Sequence, residues 1–308
     1  MTAPADAATP PPPPPATSTT TATDPSTGGQ ADRGRAPDRP WLRVLAVVGP
    51  VVALLLATLV PAGLLSLLPP MADDAPAGTV VVVVVVQSLV VCLAAVALGA
   101  LLLRWHRLRL RDAGFRWTRR SLPGLLAGVA VGAVVVVAVG LPLTRLGLLR
   151  EGESWGLPWW ALVVAGLAQA VLLQALPEEL LFRGYQMTAL RLRPVAAVLV
   201  SATVFASLHL ISSGGQVNAL ERVLYLAMPF GFALAAGALM VVTDSLWAAV
   251  GVHAGVHVGS LAGIFLGLGN GPQLWLLAGA VWTLAGIVLL LVAARRGQLA
   301  AAWRGPQH

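Results

Sequence analysis

Beyond residue 40 the chain alternates long apolar runs with short polar breaks. The runs fall at 44–68, 78–103, 123–142, 158–190, 195–211, 222–242, 246–268 and 272–293. A helix needs about 20 apolar residues to cross about 30 Å of hydrocarbon. The runs cluster around that length, the fourth being long and the fifth short. Val80–Val86 is an unbroken valine run, which in water favours a strand. In lipid an open strand leaves its backbone groups unpaired, so a helix is expected there too. The pattern therefore predicts an all-α fold: a polytopic integral membrane protein with about eight transmembrane helices. Residues 1–40 break it. They are rich in Pro, Thr, Ala and Ser, with consecutive prolines from Pro10 to Pro15. With no apolar face to bury, this segment is expected to be a disordered tail. It is also too polar for a signal-peptide core, so no cleavage is expected.

Composition supports the pattern. Of 308 residues, 57% are hydrophobic and 11% are charged, against about 25% charged in a soluble protein. That excludes a fully water-facing surface. All 20 basic residues are arginine; with heavy Ala, Gly, Val and Pro use, this suggests a GC-rich, bacterial genome. The net charge of +7 is not read as affinity for nucleic acid, because the arginines flank apolar runs and so report topology. Cys92 is the only cysteine, which excludes disulfides and zinc–cysteine sites.

The arginines alternate between loops. Arg33, Arg35, Arg39 and Arg43 precede the first run, and Arg104, Arg107, Arg109, Arg111, Arg116, Arg119 and Arg120 follow the second. Arg191 and Arg193 follow the fourth run; Arg295, Arg296 and Arg304 follow the eighth. The intervening loops carry Asp73 and Asp74, or offset Arg145 and Arg150 with Glu151 and Glu153. By the positive-inside rule both termini are expected in the cytoplasm, in a multi-pass protein of the cell membrane. Trp155, Trp159 and Trp160 suit an interfacial belt. Gly128/Gly132 and Gly263/Gly267 have the spacing of helix-packing seams.

Few ionisable residues fall inside the runs, and those that do are costly there. Those lying well inside are Glu178, Glu179, Arg183, His209, His253 and His257. The turn Arg191–Pro194 makes a helical hairpin of the fourth and fifth runs. Glu178 lies 15 residues before Arg193 and His209 lies 15 after Pro194, so both stand roughly 22 Å from the turn, at one level. His253 and His257 share a helix face, as do Phe205 and His209. Glu179 and Arg183 are spaced for an ion pair, acid first. Pro177 suits a kink or break just before the acidic pair.

These groups permit hydrolysis. A carboxylate beside an imidazole can hold a water and take its proton as it attacks a carbonyl, and another imidazole can stabilise the oxyanion. An alternative places Zn²⁺ on His209, His253 and His257 with a glutamate as base. The His-Glu-x-x-His string and the Gly-x-Ser-x-Gly elbow are both absent. Buried acids and histidines also build proton relays, so a proton-coupled transporter is a competing class; a non-catalytic immunity or scaffold protein is a third.

Three strings carry a resemblance. Glu178-Glu179-Leu-Leu-Phe-Arg183 resembles the Glu-Glu-x-x-x-Arg motif of the CPBP (CAAX protease and bacteriocin-processing, or Abi) intramembrane proteases, which include the type II CAAX prenyl endopeptidases. Phe205-Ala-Ser-Leu-His209 resembles their Phe-x-x-x-His motif. His253-Ala-Gly-Val-His257 resembles His-x-x-x-Asn, with His257 where Asn is usual. The resemblance implies a protease domain over 41–297 with its motif core at about 158–268, and a short cytoplasmic tail at 298–308. It implies that Glu178 activates water with His209, that His253 completes the site and that His257 takes the oxyanion role. Glu179, Arg183 and Phe205 become structural support. The cofactor it implies is either Zn²⁺ or none, through a glutamate mechanism. The expected substrate is a membrane-associated or CAAX-like protein or peptide, met in a polar cavity open to the cytosol, with the lipid bilayer as surroundings.

Overall fold

The computed structural model describes residues 40–67, 74–152, 156–300 and Trp303. The tail reading for 1–39, together with Asp73, Glu153, Trp155 and Arg304, lies outside the described residues, as does most of the tail placed at 298–308.

Each of the eight apolar runs forms a helix. They are α1 (Pro40–Leu65), α2 (Ala77–Trp105), α3 (Ser121–Arg145), α4 (Trp159–Leu190), α5 (Pro194–Leu208), α6 (Ala219–Thr243), α7 (Leu246–Leu266) and α8 (Pro272–Arg295). The valine run is helical within α2. Among the described residues, seven helices are long and apolar enough to cross a membrane. The exception is α5, whose 15 residues reach only about 22 Å. Among the described residues there is no strand, and a single antiparallel bridge joins Arg150 to Asn270.

Short connections make neighbouring helices antiparallel, and long-range contacts sort the connections into two ends. At one end Tyr185 on α4 donates to the carbonyl of Leu45 on α1 and sits 3.1 Å from His106, just past α2. Arg116 pairs with Asp244 at 3.2 Å, and Trp247 donates to the Arg116 carbonyl. The Trp303 amide donates to the Leu192 carbonyl. This end therefore gathers the loops after α2, α4 and α6. Burial, aided by Arg191, holds His106 below the usual histidine pKa. At the other end Arg150, after α3, makes a bidentate pair with Glu221 at 2.8 and 3.0 Å and donates to the Gly215 carbonyl. Asn270, after α7, donates to the Gly214 carbonyl.

The core lies around α6 and α7. The apolar windows of these helices are 61% and 56% buried, against 28% for α1, α2 and α8, whose exposed valines and leucines suit lipid contact. The α3/α7 seam is tight at Gly128, where a Cβ would stand 2.6 Å from the Val252 nitrogen; Gly132 meets the same helix through Val252 and Gly255. Glycine lets the two backbones approach this closely. The second proposed seam is different. Gly263 packs on Leu268, and Gly267 ends α7 with φ +65° in open space. It is a left-handed C-terminal residue, a conformation that glycine adopts without strain.

Candidate active site

Helix α4 sets up the site. It does not break at Pro177; its hydrogen-bond register changes instead. Residues Gln169–Ala175 and Leu180–Gln186 are π-helical, and Leu176–Glu179 between them is α-helical. Proline has no N–H to give to the preceding turn, and the wider i→i+5 turn takes up the mismatch without a break. Of the kink or break expected at Pro177, the break does not occur, and two wide turns flank the acidic pair. At the far end Arg191, in the left-handed region, closes α4, and Pro194 opens α5. This is the hairpin that the charged turn predicts.

Consecutive residues on a helix point about 100° apart, and the two glutamates separate accordingly. Glu179 faces the packed interior. Its side chain is 0% exposed, as is that of Arg183, and the two approach to 3.1 Å. They are close enough to attract but not aligned as a hydrogen bond, so the Arg183 nitrogens have no hydrogen-bond partner. The guanidinium instead lies over the Phe205 ring, 4.5 Å from its centroid, with Phe232 at 5.6 Å. That is cation–π geometry. Glu178 turns the other way, into a cavity of about 410 Å³ that it shares with Gln174, His209, Tyr225, His253 and His257.

His253 on α7 spans both acids. Its Nδ1 is 2.9 Å from Glu179 Oε1, and its Nε2 is 3.7 Å from Glu178 Oε2. A carboxylate can only accept, so Nδ1 carries a proton there. His209 caps α5, with Nδ1 3.0 Å from the Phe205 carbonyl. That nitrogen must also be the donor, which leaves Nε2 with its lone pair. His257 lies one turn on from His253, the two rings stacked 5.1 Å apart. Phe232 packs edge-on against His253 at 4.7 Å. All four residues expected to act therefore border one cavity, but the close partner of Glu178 is His253 and not His209.

The zinc reading requires three ligands converging on one ion. Here two of the imidazoles use Nδ1 on protein acceptors and two stack face to face. Among the described residues no group of three His, Cys, Asp or Glu side chains has an arrangement that could hold a metal ion. The donors as placed do not fit zinc. The cavity also does not reach the arginine-rich end. Its lining continues to Gly152, Gly214 and Gly267–Asn270, which are loops of the opposite end.

Several lining residues carry no signal in the motif strings. Tyr225 stands 6.0 Å from the His209 ring and edge-on to Trp275. Asn270 accepts from the Trp275 indole at 2.7 Å. Gln174 lies one turn before Glu178. The scarcity of tyrosine is a signal that could have found one of them: the chain has two, and each lies against a histidine.

Residues 155–259 match the family model described as Rce1-like, type II CAAX prenyl endopeptidase. This is the family that the three strings resemble, and the matched stretch is an Rce1-like domain. It covers roughly a third of the chain and includes Glu178, Glu179, Arg183, Phe205, His209, His253 and His257. The match supports a membrane-embedded protease, hence a hydrolase. No curated protein matches the chain.

Proposed function

We propose that the Rce1-like domain is an intramembrane endopeptidase in which Glu178 activates the attacking water. The observation that carries this is the division of labour on α4: Glu179 is occupied by Arg183 and His253, while Glu178 borders the cavity 3.7 Å from an imidazole. A water beside Glu178 and the lone pair of His209 can be held by both. Glu178 takes one proton as the oxygen attacks the carbonyl carbon. The carbonyl oxygen becomes an oxyanion that an N–H of His257, or the Nε2–H of a doubly protonated His253, can stabilise. Glu178 then returns the proton to the leaving nitrogen, the C–N bond breaks, and an acid and an amine result. Glu179 holds the His253 ring in one orientation. No step passes through a metal ion, because the donors do not converge on one. The substrate is a membrane-associated or CAAX-like protein or peptide, met at the bilayer.

The test is Glu178→Gln in the purified full-length chain, assayed on membrane-anchored quenched peptides. Glutamine keeps the shape and removes the base. Cleavage should fall by roughly two to four orders of magnitude, the usual worth of a positioned base, with the thermal unfolding midpoint unchanged. Undiminished cleavage would remove Glu178 from the mechanism.

A further inference from the structure

When water attacks a carbonyl, the charge that develops on its oxygen must be met by hydrogen-bond donors. Most polar groups bordering the cavity cannot serve. Ionised Glu178 only accepts, and His209 has its Nδ1 proton on the Phe205 carbonyl. His253 donates from Nδ1 to Glu179, so its Nε2 donates only when the ring is doubly protonated. The Ser260 hydroxyl donates to the Val256 carbonyl at 3.1 Å, and the Trp275 indole donates to Asn270 at 2.7 Å. Neutral His257 brings a single N–H. The Tyr225 hydroxyl is different. Its side chain borders the cavity, and among the described residues it has no hydrogen-bond partner.

We propose that Tyr225 is a further catalytic residue, whose hydroxyl donates a hydrogen bond to the oxyanion. The proposal rests on the proposed hydrolysis. The phenol keeps its own proton throughout. The proton that Glu178 takes from water still goes to the leaving nitrogen, and Tyr225 stabilises the charge in between.

Place and rigidity both support this role. The Tyr225 ring lies 6.0 Å from that of His209, centroid to centroid, so it flanks the group that helps Glu178 hold the water. It stands edge-on to Trp275 at 5.2 Å. A Cβ at Gly214 would fall 2.6 Å from the tyrosine Cζ and 2.7 Å from its hydroxyl oxygen, so glycine makes room for the phenol. Gly214 is itself fixed, its carbonyl accepting from Asn270 and its N–H donating to Gln216. The turn of α6 that carries Tyr225 is anchored by the Asn218 side chain, which accepts from the Glu221 N–H at 2.9 Å, and by the bidentate Arg150–Glu221 pair. A donor held in place before the charge appears needs no reorganisation when it does. Packing alone would need only the ring. The other tyrosine, Tyr185, spends its hydroxyl on the Leu45 carbonyl.

Tyr225→Phe removes one oxygen and keeps the ring. In the purified full-length chain, assayed on the membrane-anchored quenched peptides, kcat should fall about 100-fold, the usual worth of one oxyanion donor. KM and the thermal unfolding midpoint should change little. Parental kcat in this variant overturns the proposal. A rise in KM at constant kcat also overturns it, because that marks ground-state binding, and so does a midpoint that falls along with the rate, which assigns the hydroxyl to packing. Cleavage by the parent no faster than by Glu178→Gln sinks the hydrolytic reading and this proposal with it. A spectroscopic arm needs no turnover. With 3-fluorotyrosine in place of both tyrosines, the resonance missing from Tyr225→Phe is that of Tyr225. A peptide carrying a phosphinate in place of the scissile amide presents a tetrahedral anion. It should move the Tyr225 resonance more than the matching amide peptide does, and leave that of Tyr185 in place. An equal response to the two peptides overturns the proposal.

Discussion

The two sides of α4 carry the same kinds of side chain into different surroundings. On the packed side, Glu179 and Arg183 are sealed from solvent, pair at 3.1 Å and press on Phe205 and His253. On the cavity side, Glu178 is 17% exposed and the His253 Nε2 is 3.7 Å away. An ionisable group in a membrane interior must pair, face a cavity, or bear a large penalty. Glu179 takes the first course and Glu178 the second. The difference shows that intramembrane charge alone does not mark a reactive group. Glu179 is sealed inside the packing, with Oε1 on Arg183 and His253, so it cannot meet a substrate, whereas a carboxylate beside open space can exchange a proton with what enters.

Breaking the packed side should have the largest effect on folding. Arg183→Met fills the volume but strands the Glu179 carboxylate, and removing one partner of a buried ion pair typically costs about 3–5 kcal/mol. That is a large part of a marginal stability. The variant should unfold at a much lower temperature in detergent, and adding Glu179→Gln should recover part of the loss. A variant as stable as the parent would show that the pair is not what holds α4.

A smaller effect is expected at the back of the site. Gly132→Leu pushes α3 away from α7 and so moves the helix that carries His253 and His257. Overpacking of this kind costs about 1–3 kcal/mol, and cleavage should fall with it. At Gly63 on α1 a Cβ would meet nothing within 4 Å, so Gly63→Leu is the control and should change neither midpoint nor rate. Equal loss in both variants would mean that the seam has no special bearing on the site.

Much of this arrangement is legible in the sequence because it follows from spacing. Apolar run lengths mark out the helices, including the shortness of α5. The Glu179–Arg183 pair follows from helical periodicity, and the level of Glu178 with His209 follows from counting along a hairpin. What spacing cannot supply is how hairpins sit against one another. The direct approach of His253 to Glu178, the π turns around Pro177 and the aromatic wall of Tyr225 and Trp275 are set by packing between remote segments.

The smallest effect is expected where the chain departs from its family's string. His257 occupies the position where the resemblance implies asparagine, and it stacks on His253 at 5.1 Å. If its part is to donate a hydrogen bond to the oxyanion, the side-chain amide of asparagine can donate as well. His257→Asn should then keep the cleavage rate within about tenfold, the lost ring contact being worth about 0.5–1.5 kcal/mol. His257→Leu keeps bulk and removes the donor, so its rate should fall by about two to three orders, as when an oxyanion donor is deleted. The split between the two variants is the informative quantity. If asparagine and leucine were equally damaging, His257 would be needed as an imidazole, for its ring or its basicity. If both were harmless, the cavity side would work through Glu178, His209 and His253, with His257 as part of the wall.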